Sequence, residues 1–147
     1  MKRKIINSVI ILFVFSIFFI DLSSFSQTSN ADEILIDKEL QECVTNNYMA
    51  DGMNLCIKKS IQKLDYVIDK YLLSIKNKLK ASDIKYLNKV QKSWQNYYEQ
   101  ETILMNALLE NKKGYIYSTI VLNKMYQLKK QRAIFLKNYY IELIKND

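Results

Sequence analysis

The chain has 147 residues and a net charge of +7, with no histidine, no proline and only two glycines. The absence of histidine excludes Ser–His and Cys–His nucleophile pairs and the usual zinc and copper sites, and two glycines cannot form a phosphate-binding loop. Because proline and glycine dominate tight turns, their scarcity excludes a β-rich chain with many turns and predicts an all-α protein.

The N-terminal segment has the pattern of a cleavable export signal. Residues 2–4 are basic, and a mostly apolar stretch follows over residues 5–20. Ser24-Phe25-Ser26 then offers the small-x-small pattern that a signal peptidase requires, and residues 29–31 are a second possible site. An uncleaved membrane anchor is the alternative, but the uninterrupted apolar core is short for the roughly 20 residues of a bilayer span. We therefore predict a signal peptide over residues 1–26 and a protein that is periplasmic or secreted.

Removal of this signal leaves a mature domain over residues 27–147, with 19 basic and 14 acidic side chains and hence a net charge of +5. Its two cysteines, Cys43 and Cys56, form an even pair, which in an exported protein predicts a disulfide. A metal site or a reactive thiol is the alternative, but neither a histidine nor a nearby third ligand supports it. We expect no cofactor and no bound metal.

A short N-terminal arm precedes three long amphipathic segments. The arm includes Ile34 and Leu40 and could form a short helix that runs into Cys43. The first long segment, about residues 53–80, has apolar residues three or four apart and no period-two alternation, which predicts a helix. Its apolar positions are Ile57, Ile61, Leu64, Ile68, Leu72, Ile75 and Leu79.

Two further helices are predicted over about residues 82–110 and 115–144, with a turn at Gly114 between them. The inner face of the first is expected to include Ile84, Leu87, Val90, Trp94, Tyr97, Leu104 and Leu108. The buried stripe of the second is expected to include Thr119, Leu122, Tyr126, Leu128, Phe135, Tyr139 and Leu143. Because short connections make neighbouring helices antiparallel, we predict an up-down-up three-helix bundle with a disulfide-tethered N-terminal arm.

Several spaced residues resemble the motifs of one family of exported domains. Met53-Asn54-Leu55-Cys56, then Asp65, then Gln91-Lys92-Ser93-Trp94 stand in one ungapped register, and Leu128–Arg132 follows more loosely. They are similar to the Met-Asn-x-Cys, Ala-Asp, Ala-Gln-x-x-Trp and Leu-Thr-x-x-Arg motifs of the LprI-type lysozyme inhibitor domain. The resemblance covers roughly residues 40–140, although the chain lacks the later two of the four cysteines that this family commonly has.

The resemblance implies a small exported helical protein, some of whose relatives bind and inhibit lysozyme by protein contact. Two hypotheses follow: a binding module that blocks an enzyme such as lysozyme, or an envelope accessory domain without inhibitory activity. A basic lysozyme could meet an acidic patch formed by Glu99 with Glu101 or by the arm, although ordinary solvated surface is the simpler interpretation of both. The acidic residues of the arm are Asp32, Glu33, Asp37, Glu39 and Glu42.

Other classes of function find little support in the sequence. Asp65 and Asp69 lie one helical turn apart with no sign of the cleft that glycoside hydrolysis needs, so we predict no enzyme activity and no catalytic residue. Lysines alternate with tyrosines in the last helix, as in some nucleic-acid binders, but Tyr126 and Tyr139 lie on its predicted buried stripe. We predict a protein partner, no nucleic acid and no membrane contact after signal cleavage.

The arginine position of the family predicts a structural cluster in the middle of the bundle. Arg132 is the only arginine of the mature chain, and the antiparallel register brings it near the level of Trp94 and Asp69. A guanidinium can engage a carboxylate with two hydrogen bonds, which an ammonium cannot do. We therefore expect Arg132 to pair with Asp69 or Asp65. Gln91 is expected beside this pair and the Trp94 ring above it, and a solvated Arg132 is the alternative.

Overall fold

The computed structural model describes residues 31–145, so the predicted signal peptide lies outside the described residues. The described part is all-α, as the scarcity of proline and glycine predicts, and it contains four helices and no strand. No helix within it is long and apolar enough to cross a membrane. The helices are α1 (Ala31–Asn46), α2 (Ala50–Lys76), α3 (Ala81–Leu109) and α4 (Tyr115–Lys145).

The N-terminal arm is itself a full helix, so the prediction of three helices is wrong in its count. α1 runs antiparallel to α2, since Glu39 pairs with Lys63 and Asp32 pairs with Lys70. Ile36 of α1 is buried in the same hydrophobic core as the apolar stripe of α2. α1 therefore supplies one side of the core, whereas the sequence predicted a disulfide-tethered arm that could form a short helix.

The second and fourth helices lie parallel to each other and form the centre of the core. Asn54 and Ser118 are hydrogen-bonded near the start of the two helices, and Asp65 pairs with Lys129 eleven residues further along each. The apolar period of α2 was predicted well, because five of its seven positions are buried and Leu72 and Leu79 pack partly buried against them. The buried five are Ile57, Ile61, Leu64, Ile68 and Ile75.

The third helix is the least buried of the four. None of its residues is fully buried, and only Leu87 and Trp94 pack partly buried against the core. Four residues of its predicted inner face are exposed, so that part of the prediction is wrong. The physical reason is that α3 carries two apolar stripes about 80° apart around the helix, and only one stripe faces α4. The exposed four are Val90, Tyr97, Leu104 and Leu108.

The predicted stripe of the fourth helix is also only partly buried. Tyr126 and Leu128 are buried as expected, but Phe135 and Tyr139 are about half exposed. These two lie on the side of α4 where α3 packs loosely, so burial there is incomplete. The turn between the two helices uses Gly114 at a φ of 109°, a conformation that glycine adopts without steric strain.

Candidate functional site

Arg132 lies in the middle of the helical bundle, on the side of α4 that faces α3. Its guanidinium is nearly covered, with 5% of the residue exposed, and it donates to the side-chain oxygen of Gln91. The Nε–Oε1 and Nη2–Oε1 distances are 3.0 Å and 2.7 Å. The guanidinium carbon also lies 5.6 Å from the centre of the Trp94 ring, within the range of a cation–π contact. Burial lowers the pKa of Arg132 from its ordinary value, yet a guanidinium stays protonated in proteins.

Neither of the two carboxylates predicted to pair with Arg132 does so. Asp65 pairs with Lys129, whose ammonium also lies 4.7 Å from the centre of the Tyr98 ring. Asp69 is exposed on α2. Lys129 and Arg132 project from α4 about 60° apart, because three residues turn a helix by about 300°. Lys129 therefore reaches Asp65 of α2, while Arg132 reaches Gln91 of α3. The predicted pairing of Arg132 with Asp65 or Asp69 is therefore corrected to a pairing with the amide of Gln91.

The Trp94 ring of this cluster also stacks on the ring of Tyr98. The Trp94 and Tyr98 rings stack with their centres 5.5 Å apart and an interplanar angle of 24°. Burial, and to a lesser degree the negative charge of Asp65, raises the pKa of Tyr98 to about 12. The cluster therefore joins α2, α3 and α4 through stacked rings and charge-assisted hydrogen bonds, and its position suits a structural role.

The cysteines join the first two helices, as predicted. Cys43 near the end of α1 and Cys56 near the start of α2 form a disulfide, with their Cα atoms 5.8 Å apart. This distance is within the usual range for disulfides in proteins. The bond fixes one end of α1 to the core, and ion pairs fix the remainder.

Four carboxylates of α1 bind lysines of the neighbouring helices. On the α2 side, Asp32 accepts a hydrogen bond from Lys70 at 2.7 Å and another from the Tyr71 hydroxyl at 3.3 Å, and Glu39 pairs with Lys63. The hydrogen bond from Lys70 lowers the pKa of Asp32, and the same bond raises the pKa of Lys70. Burial, with the nearby charge of Asp32, raises the pKa of Tyr71 to about 12.

The α4 side of α1 is held in the same way. Asp37 accepts hydrogen bonds from Tyr126 and Lys130, and burial is the main cause that raises the pKa of Tyr126. Glu33 and Lys137 form a buried pair with an Nζ–Oε2 distance of 3.5 Å. The hypothesis that the arm presents a free acidic patch is therefore wrong, because these carboxylates are neutralised by lysines of the same chain.

A groove between α1 and α2 is the candidate surface for a partner. It has a volume of about 540 Å³ and is open to solvent along one side. Leu35, Ile36, Tyr66 and Val67 supply its apolar lining, and the Asp32–Lys70 and Glu39–Lys63 pairs line it as well. Tyr66 stands out from the groove with 73% of its surface exposed. The sequence did not single this residue out, since an exposed tyrosine has no local signal that separates it from a surface residue.

Within residues 31–145, no three side chains of the metal-binding types come together. The carboxylates near the groove are bound to lysines, and the exposed lining combines Leu35 and Tyr66 with lysine and glutamine side chains. Such a surface suits contact with another protein, because aromatic side chains are enriched at the centres of protein interfaces.

Comparison with known proteins agrees with the motifs in the sequence. The profile of the family described as "Lysozyme inhibitor LprI" matches residues 42–136, which include the disulfide and the Arg132 cluster. No curated protein and no solved structure matches the chain. Because the matched region covers more than half of the chain, the protein belongs to the lysozyme inhibitor LprI family.

Proposed function

We propose that this member of the lysozyme inhibitor LprI family is an exported protein that binds a lysozyme-type enzyme by direct contact and inhibits it without any catalysis of its own. The observation that carries the proposal is the family match over residues 42–136. The disulfide between Cys43 and Cys56 supports an oxidising compartment such as the periplasm or the exterior. The predicted signal peptide over residues 1–26 supports the same location.

The contact surface we propose is the groove between α1 and α2, with Tyr66 as its aromatic anchor. The disulfide and the ion pairs of α1 hold both walls of the groove in place before a partner arrives. A preorganised surface loses less conformational freedom on binding than a mobile one, which favours affinity. The exposed ring of Tyr66 and the apolar side chain of Leu35 then supply area that a partner can bury.

Electrostatic attraction contributes little to the binding that we propose. The mature chain has a net charge of +5, and four of the five acidic residues of α1 are paired with lysines of α2 and α4. The fifth, Glu42, lies 3.9 Å from Lys38 of its own helix. A basic lysozyme therefore meets no free acidic patch on this helix, and apolar contact has to supply most of the affinity. Because salt screens charges but not apolar contacts, we expect inhibition to change less than about threefold between 50 mM and 300 mM salt.

A turbidity assay of lysozyme on cell walls tests the proposal. The exported, processed protein should slow lysis at near-stoichiometric ratios with at least one lysozyme type. Tyr66→Ala should raise the half-inhibitory concentration by about tenfold or more, which is typical of an aromatic anchor. Tyr48→Ala is the matched control, because Tyr48 is 76% exposed but lies outside the groove lining.

Three outcomes would contradict parts of this proposal. If several lysozyme types are unaffected at large excess, the inhibitory function is wrong and an envelope accessory role replaces it. If Tyr66→Ala and Tyr48→Ala inhibit as well as the unmodified protein, the groove is not the contact surface. If inhibition disappears at 300 mM salt, charge rather than apolar area provides the affinity.

A further inference from the structure

The third helix exposes an apolar stripe to solvent. Five large side chains of the stripe are each 48–63% exposed, and no residue of α3 is fully buried. An isolated helix gains most of its stability from packing of an apolar face, and α3 packs only one of its two faces. The stripe consists of Tyr86, Val90, Tyr97, Leu104 and Leu108.

Helical geometry places these five side chains on one side of α3. At 100° per residue they fall within an arc of about 40°, and the half-buried residues Trp94, Tyr98 and Met105 lie about 80° further round the helix. Glu101, which pairs with Lys124 of α4 at 4.0 Å, lies between the two faces. The stripe therefore faces away from α2, on the side of α3 that lies next to the exposed α4 residues Phe135 and Ile120.

Two exposed residues of α4 widen the stripe. The contacts of Gln91 with Arg132 and of Glu101 with Lys124 fix the register of the antiparallel helices. In this register, Val90 lies level with Phe135 and Leu104 lies level with Ile120, and both α4 residues are exposed. Together with Phe135 and Ile120, the five residues of the α3 stripe form an apolar band of seven residues across two helices.

The spacing within α3 is symmetric about Tyr97. Val90 and Leu104 each lie seven residues from it, and Tyr86 and Leu108 each lie eleven residues from it. If a second copy of α3 lay antiparallel on the stripe, Tyr97 would face Tyr97 of that copy. Val90 would face Leu104, and Tyr86 would face Leu108. One two-fold axis at Tyr97 therefore gives each of the five stripe residues an apolar partner in the second copy.

The charges of α3 favour the same antiparallel arrangement. Residues 80–95 carry four lysines and one aspartate, a net charge of +3. Residues 96–110 carry three glutamates and neither lysine nor arginine, a net charge of −3. A two-fold axis at Tyr97 brings the basic half of each helix level with the acidic half of the other, whereas a parallel pair would align like charges. Most of these side chains lie on the side of α3 away from the stripe, so this preference acts at long range.

The exposed area is large enough for a stable pair. Seven large side chains about half exposed present on the order of 700 Å² in each copy, from the area that such side chains bury. Two copies would bury on the order of 1,400 Å², above the roughly 1,000 Å² that a specific interface needs. A bare band of this size on a monomer is unusual for a soluble protein.

We propose that this protein forms a two-fold symmetric dimer through the α3 stripe, with the two copies of α3 antiparallel and Tyr97 on the axis. The dimer goes beyond the proposed lysozyme contact and uses different helices from the groove between α1 and α2. Each copy of the groove remains available, so one dimer carries two partner sites. Dimerisation and inhibition can therefore be tested separately.

Sedimentation of the exported, processed protein over a concentration series tests this dimer. The unmodified protein should show the mass of two chains at micromolar concentration. Leu104→Lys should raise the dimer dissociation constant by about 100-fold or more, because each interface receives two buried lysines. Ile103→Lys is the matched control, since Ile103 is 61% exposed against 51% for Leu104 but projects from another side of α3. It should leave the dissociation constant within about threefold.

Cross-linking tests the position of the axis. Tyr97→Cys should give a covalent dimer with a short bis-maleimide, whereas Ile103→Cys should not, and circular dichroism should show both variants folded. A monomer at all concentrations up to about 1 mM would overturn the proposal, as would a dimer that Leu104→Lys leaves intact. A monomer whose stripe instead binds anionic lipid vesicles would also overturn it, in favour of a membrane surface.

Discussion

Replacement of Arg132 by lysine tests whether guanidinium geometry stabilises the bundle. Arg132 gives two hydrogen bonds to Gln91 and lies over the Trp94 ring. A lysine at this position can give only one hydrogen bond to the same oxygen and has a more strongly hydrated charge to bury. Because a hydrogen bond to a charged group contributes about 1.5–3 kcal/mol, we expect Arg132→Lys to lower the free energy of unfolding by about 2 kcal/mol. The melting temperature should fall by about 8 °C.

A double-mutant cycle separates this contact from general effects of substitution. Gln91→Ala leaves the buried guanidinium without its acceptor and should destabilise the fold by about 3 kcal/mol. The double variant, Arg132→Lys with Gln91→Ala, should then be more stable than the sum of the single effects predicts by at least about 1 kcal/mol. Gln91→Glu supplies a carboxylate in place of the amide and should be neutral or stabilising by about 1 kcal/mol.

Urea unfolding followed by circular dichroism measures each of these values. Single effects below about 0.5 kcal/mol that simply add would refute the stabilising role of the Arg132–Gln91 contact. The same variants should inhibit lysozyme as well as the unmodified protein at a temperature where they are folded, because the cluster lies outside the groove lining. Selective loss of inhibition in a folded Arg132→Lys variant would show instead that the cluster takes part in binding.

Three further predictions concern the disulfide and the titrating groups. Cys56→Ser, which removes the bond to Cys43, should lower the free energy of unfolding by about 2–5 kcal/mol, and urea unfolding with and without a reductant measures it. Tyr71 and Tyr98 have pKa values raised to about 12, above the ordinary value of 10.0. The stability that their neutral hydroxyls contribute should therefore be fully present below pH 10 and lost as the pH rises towards 12. An alkaline unfolding curve that neither Tyr71→Phe nor Tyr98→Phe shifts would contradict this. Because the pKa of Asp32 is lowered, its contribution should be present above about pH 4 and lost as the pH falls through the lowered value. An acid unfolding curve that Asp32→Asn leaves unchanged would contradict it.

Local patterns in the sequence were enough to predict the fold class, the disulfide, the buried face of α2 and the family of this protein. The scarcity of proline and glycine predicted an all-α chain, and the even cysteine pair predicted the disulfide between Cys43 and Cys56. The apolar period predicted the buried face of α2, since a helix with one apolar stripe has one face to bury. The spaced motifs from Met53 to Arg132 indicated the family that the profile then matched. Each of these signals depends on neighbouring residues or on a fixed spacing along the chain.

The tertiary structure alone decided which helices share the core. α3 has two apolar stripes, and periodicity cannot say which of them a neighbour will cover, so Trp94 was placed correctly while Tyr97 and Leu104 were not. The acidic residues of α1 resembled a free patch because their lysine partners lie far away in the sequence, on α2 and α4. Arg132 donates to Gln91 rather than to a carboxylate because the direction of a side chain depends on the rotation of its helix about its own axis. Long-range packing sets that rotation, and no local pattern records it.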